Sequence, residues 1–97
     1  MVRLEMIANR SVEGDFFDLL QKRGLGEVYY TRVPVVFGVG DSGPRHGDHV
    51  WPEENFLLLM YCEEETADRV TDVVRELKRE FPDEGIKLFR VAVLEGC

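Results

Sequence analysis

The spacing of apolar residues changes period several times along the chain. Over residues 2–8, VRLEMIA, the apolar Val2, Leu4, Met6 and Ala8 alternate with Arg3 and Glu5, the period of two expected of a half-buried strand. In NRSVEGDFFDLLQKRG the spacing becomes helical: Val12, Phe16, Leu19 and Leu20 share one face, with Ser11 as the expected N-cap and Gly24 as the stop. Gly14 stands where a capping box would carry Glu. Residues 27–38, EVYYTRVPVVFG, are rich in β-branched and aromatic side chains and predict a long strand, with Pro34 assigning its middle to an edge or a bulge.

The second half repeats the alternation of strand and helix. NFLLLMYC at 55–62 is apolar at almost every position, as a strand covered on both faces must be. EEETADRVTDVVRELKREFP sets Ala67, Val70, Val74, Leu77 and Phe81 at helical spacing, opens with three glutamates that suit a helix N-terminus and stops at Pro82. GIKLFRVAVL predicts a last strand over 85–94. The order βαββαβ, with crossovers long enough for helices, predicts an α+β ferredoxin-like fold: an antiparallel sheet with two helices on one face. The other sheet face then has no cover within one chain. Because Leu57, Leu59 and Tyr61 alternate with Phe56, Leu58, Met60 and Cys62, that face is apolar too, and the expectation is an oligomer built with its sheets inward.

Composition narrows the choice of partners. With 97 residues the chain is expected to be one domain, 1–97, and 44% hydrophobic residues suffice for a core. The formal charge is −7, and the 12 Lys and Arg are scattered among 19 acids, which excludes the dense basic surface that nucleic acid requires. Anionic lipid is disfavoured for the same reason. No apolar run approaches the roughly 18 residues of a spanning helix, and MVRLEMIANR has no signal-peptide core. The expectation is a cytoplasmic protein with no direct membrane insertion, whose Cys62 and Cys97 are reduced thiols.

Between the second and third strands lies FGVGDSGPRHGDHVW, which holds four of the nine glycines and both histidines. The spacing Gly38-x-Gly40-x-x-Gly43 matches a dinucleotide fingerprint in letters, but no helix follows it, so the pyrophosphate would lack its helix N-terminus. Such a loop can still wrap an anion through its backbone N–H groups. Alternatively His46, Asp48 and His49 offer imidazole and carboxylate ligands to a divalent metal. Trp51 at the far end either anchors the loop base or stacks against a partner. No nucleophile and base pair emerges: Ser42 has no strand–turn–helix elbow, and Ser11 is assigned to capping. A non-enzymatic protein is expected.

The order of elements, together with YTRVPVVFGVG running into a long loop and EGIKLFRV opening the last strand, resembles the PII family of nitrogen-regulatory signalling proteins. The resemblance extends over nearly the whole chain. It implies a homotrimer whose sheets line the interior, with clefts between subunits that bind a small effector such as an adenine nucleotide, and a flexible T-loop-like segment, 38–54, that contacts a protein partner through residues 38–52. By position, Gly38 and Gly40 resemble the family's Gly-x-Gly beside the nucleotide phosphates, Thr31 its preceding threonine, and Gly85 and Lys87 its glycine and phosphate-binding lysine. Asp41 follows Gly40 where the family often carries arginine, and no tyrosine lies within 38–50, so the resemblance is to a divergent member. A similarly folded alternative is a metal-responsive trimer of CutA-like or heavy-metal-associated PII-like type, built on His46, Asp48 and His49, with Cys97 as a further ligand.

Overall fold

The structure, a computed structural model, describes residues 1–39 and 53–97. Strand β1 (Val2–Asn9) leads through a 3-10 turn (Arg10–Val12) into helix α1 (Glu13–Lys22). Strands β2 (Thr31–Gly38) and β3 (Glu53–Cys62) follow, then helix α2 (Glu64–Glu80) and strand β4 (Ile86–Ala92). All pairings are antiparallel and the strand order is β2-β3-β1-β4, the ferredoxin-like α+β arrangement that the element order predicts.

Alternation decides which face is buried. Val2, Leu4, Met6 and Ala8 of β1 and Phe56, Leu58 and Met60 of β3 lie in one row set, pack under the helices and are almost fully shielded from solvent. The α2 stripe of Ala67, Val70, Val74 and Leu77 is buried against them, with Val73 joining it and Phe81 only half-buried at the C-cap. From α1 come Phe16, Leu19 and Leu20, with Val12 of the preceding turn. Each of these larger side chains gains roughly 1.5–3 kcal/mol by leaving water.

Local details correct the sequence reading at four places. Ser11 is not the helix N-cap: the Asn9 side chain accepts the Ser11 N–H at 2.9 Å and caps the 3-10 turn, and α1 begins two residues later. The expected strand over 27–38 starts only at Thr31, because the chain still turns at Leu25–Val28 and the Tyr30 ring packs on Phe17 at 5.4 Å. The third strand begins at Glu53, earlier than the expected 55. The last strand ends at Ala92, short of the expected 94.

Two expectations hold in detail. Gly24 ends α1 with φ 75°, donating to the Gln21 carbonyl (3.1 Å) while Leu25 donates to Leu20 (2.8 Å), the paired bonds of a Schellman motif. Pro34 sits on an edge strand and in a bulge: Val33 pairs with Leu57 and Val36 with Asn55, so Pro34 and Val35 together oppose Phe56. The second sheet face, away from the helices, carries Ile7, Leu57, Leu59, Tyr61, Phe89 and Val91, half-buried or exposed. No other described element packs on it.

Candidate functional site

The sheet register determines where the candidate residues stand. At one end of the sheet, Gly38 closes β2 opposite Glu53, Val36 pairs with Asn55, and Asn55 pairs with Asn9. The Asn9 N–H then donates to the Gly85 carbonyl at 2.9 Å, which brings the turn between α2 and β4 to this same end. That turn is short and built by its own backbone: Phe81 donates to Leu77 (2.9 Å) and Glu84 to Phe81 (3.1 Å), which returns the chain to the sheet past Pro82.

Gly38 and Gly85 therefore share one end but not one edge. β2 and β4 are the two outer strands, with β3 and β1 between them, so the two glycines are separated by three strand spacings, about 14 Å. Lys87 pairs with Ile7 and projects from the open face of β4, exposed. Thr31 pairs with Leu59 and projects from the open face of β2, at the strand's beginning, also exposed. The structure thus places Thr31 and Gly38 on one edge and Gly85 and Lys87 on the other. Gly40 lies outside the described residues, as do His46, Asp48 and His49 of the metal reading and Trp51. Among the described residues no three His, Cys, Asp or Glu side chains gather as a metal site would require.

Among the described residues nothing requires glycine at position 38. Its φ is not positive, and a Cβ built there would meet the Asn55 amide nitrogen at 3.6 Å, an ordinary contact, among the described residues.

Sequence reasoning missed three features near these edges. Arg10 reaches the same sheet end and lies 3.6 Å from Glu54, a solvated cation beside the glycine end of β2 and β3. Arg32, next to Thr31 but on the opposite face, holds Glu13 of α1 through two hydrogen bonds, 2.5 Å from Nε and 3.0 Å from Nη2. The Arg32 guanidinium lowers the Glu13 carboxyl below its ordinary value, burial opposing it, and so ties the outer strand β2 to the helix layer. Their separation of 19 residues leaves no periodic signal; only the opposite charges were visible.

The third feature is a cavity of about 320 Å³ at the other end of the sheet, lined by Leu25, Val28, Met60, Cys62, Thr66 and Arg69 among others. It exists because residues 25–30 leave the sheet instead of extending β2. Burial there raises the Cys62 thiol above its ordinary value, so it is a poor thiolate. At the same sheet end Arg90 on β4 holds Asp68 of α2 at 2.7 Å, as Arg32 does for α1 on the other outer strand.

The ferredoxin-like sheet and its two helices are a frame shared with PII-like proteins of known structure. The chain resembles CPII, a nitrogen-regulatory PII-like protein from Thiomonas intermedia K12 bound to ADP, AMP and bicarbonate, in two structures. One matches at TM-score 0.61 with 19% identity over 95% of this chain and 86% of that one. The second matches at TM-score 0.64 with 22% identity over 93% and 88%. A structure described as a PII-like signalling protein, from Thermus thermophilus, matches at TM-score 0.59 with 22% identity over 92% of this chain and 82% of that one. No family model matches the sequence, and no curated protein matches it. At these identities the likeness is one of fold, and it covers nearly the whole length of both partners.

Proposed function

We propose that this chain is a divergent PII-like regulatory protein. It assembles as a homotrimer with open sheet faces inward, binds a small effector, an adenine nucleotide, in the clefts between subunits, and contacts a protein partner through the glycine-rich segment 38–52. It works in the cytoplasm as a single domain, without catalysis of its own.

The observation that carries this reading is the division of the candidate residues between opposite outer strands. Thr31 and Gly38 stand on β2 while Gly85 and Lys87 stand on β4, so one copy offers two half-sites and a second copy is needed to bring unlike halves together. The exposed apolar face supplies the means of association. CPII, with the same fold, is bound to ADP and AMP, which supports an adenine nucleotide as the effector. In such a cleft Lys87 would meet phosphate charge, and the N–H groups from Gly38 onward would approach the phosphate closely.

The test combines mass and ligand binding. Light scattering on the purified full chain reads the assembly, and thermal shift with ATP, ADP, AMP and divalent metals reads the effector. A ligand at 100 times its Kd adds roughly 2.7 kcal/mol, a shift on the order of 10 °C for a chain of this size. The expected result is a trimer stabilised by an adenine nucleotide, with the shift abolished by Lys87→Ala. Stabilisation by metal alone, lost when His46 and His49 are both replaced by Ala, would overturn the nucleotide reading in favour of metal sensing.

A further inference from the structure

In the middle of the open apolar face sit two opposite charges. Arg3 and Glu5 are two residues apart on β1, so both project away from the helices, and they pair at 3.0 Å. The register surrounds them with apolar side chains: Arg3 stands between Tyr61 of β3 and Val91 of β4, and Glu5 between Leu59 and Phe89. Their neighbours already limit them to about one third exposure, 33% and 32%. The Arg3 Nε is fully shielded from solvent and has no acceptor within the described residues.

That pair is poorly matched to an ordinary apolar partner. A guanidinium carries five N–H donors and a carboxylate about four acceptor positions, and the contact between Arg3 and Glu5 uses few of them. A purely apolar partner would strip water from both groups and return nothing to the orphaned Nε. A second copy of the same face behaves differently. Rotation about an axis that runs alongside the face brings another Arg3 and another Glu5 to it, so the donors of one copy meet acceptors of the next.

We propose that Arg3 and Glu5 form an ionic ring between subunits, Arg3 of each copy reaching Glu5 of the next around the rotation axis, and that this ring sets the register and number of subunits. The inference rests on the trimer proposed above and deepens it. The apolar residues around the ring supply the attraction. The charges supply the selectivity, because a shifted register or a foreign apolar surface leaves them buried and unpaired.

Charge reversal tests the ring. Arg3→Glu places six acids at the axis of a trimer and Glu5→Arg places six bases, while each monomer loses only one partly exposed pair. Light scattering should therefore find each single variant monomeric, with a circular dichroism melt showing that it is folded. The double variant Arg3→Glu/Glu5→Arg restores one acid and one base to each copy and should recover the trimer, which an unfolded chain could not do. A trimeric wild type alongside a trimeric Arg3→Glu or Glu5→Arg variant, or alongside a double variant Arg3→Glu/Glu5→Arg that fails to assemble, overturns the ionic ring and leaves the trimer standing. A monomeric wild type at the same concentration overturns the trimer itself, and the ring with it.

Discussion

Replacing Gly38 by alanine separates stability from ligand binding more cleanly than any other change at the candidate site. The backbone at 38 is not in the left-handed region, and the added Cβ would lie 3.6 Å from the Asn55 amide nitrogen, within ordinary contact. Among the described residues nothing has to move to admit alanine, and the unfolded chain loses freedom, so stability should rise by about 0.4–1 kcal/mol. Binding should respond in the opposite sense. If the N–H groups beginning at Gly38 lie against a phosphate, a methyl group there blocks close approach, and the nucleotide-induced shift in Tm should collapse by most of its wild-type size. Urea denaturation without ligand and thermal shift with ADP measure the two quantities on the same preparation. A loss of more than about 1 kcal/mol without ligand would refute the packing argument, since that exceeds what a strain-free Gly→Ala change can cost. An unchanged ADP shift would refute the placement of ligand at Gly38.

Two further predictions concern the frame that holds the site. Glu13 has its carboxyl held below its ordinary value by the hydrogen bonds from Arg32, so the pair stabilises the fold fully above the unfolded-state value and loses that contribution as pH falls through the folded one. Glu13→Gln should cost about 0.5–1 kcal/mol at neutral pH, the modest figure reflecting a partly solvated pair, and should flatten the fall in urea midpoint below about pH 4.5. The glycine within α1 and the one just past its end should answer alanine with opposite signs: Gly24→Ala forces a side chain into φ 75° and should cost about 1–2 kcal/mol, whereas Gly14→Ala in α1, with no described atom within 4 Å of the added Cβ, should gain about 0.5 kcal/mol or more. Equal melting temperatures for those two variants would contradict the assignment of the Schellman turn.

The parts of the fold that were legible in the sequence are those whose burial follows a short period. β1 and α2 repeat their apolar positions at two and at three to four residues, and the buried sets Val2–Leu4–Met6–Ala8 and Ala67–Val70–Val74–Leu77 follow directly. Residues 27–30 misled because Val28, Tyr29 and Tyr30 have the composition of a strand; what removes them from the sheet is the turn after Gly24 and the packing of Tyr30 on Phe17, both tertiary effects. Ser11 misled because Asn9, an equally good cap, stands two residues earlier and takes the bond. For the site, glycines 38 and 85 and Lys87 were recognisable as short motifs, but their separation onto opposite outer strands follows from the strand order, which no local pattern encodes.

The same strand order bears on how copies of the chain associate. Outer strands invite edge-to-edge pairing, and here the β2 edge is interrupted: Pro34 has no N–H to offer, and the bulge with Val35 breaks the register opposite Phe56. Edge pairing through β2 is therefore weakened just where the strand is most apolar. The open sheet face has no such obstacle, and its Ile7, Tyr61, Phe89 and Val91 are exposed enough to favour burial against another copy. In the proposed trimer, packing by faces around an axis leaves the outer strands of neighbouring copies beside each other without requiring them to hydrogen-bond. A cleft between β2 of one copy and β4 of the next would then keep the backbone N–H groups near Gly38, and the Lys87 ammonium, free for a ligand instead of consuming them in a continuous sheet.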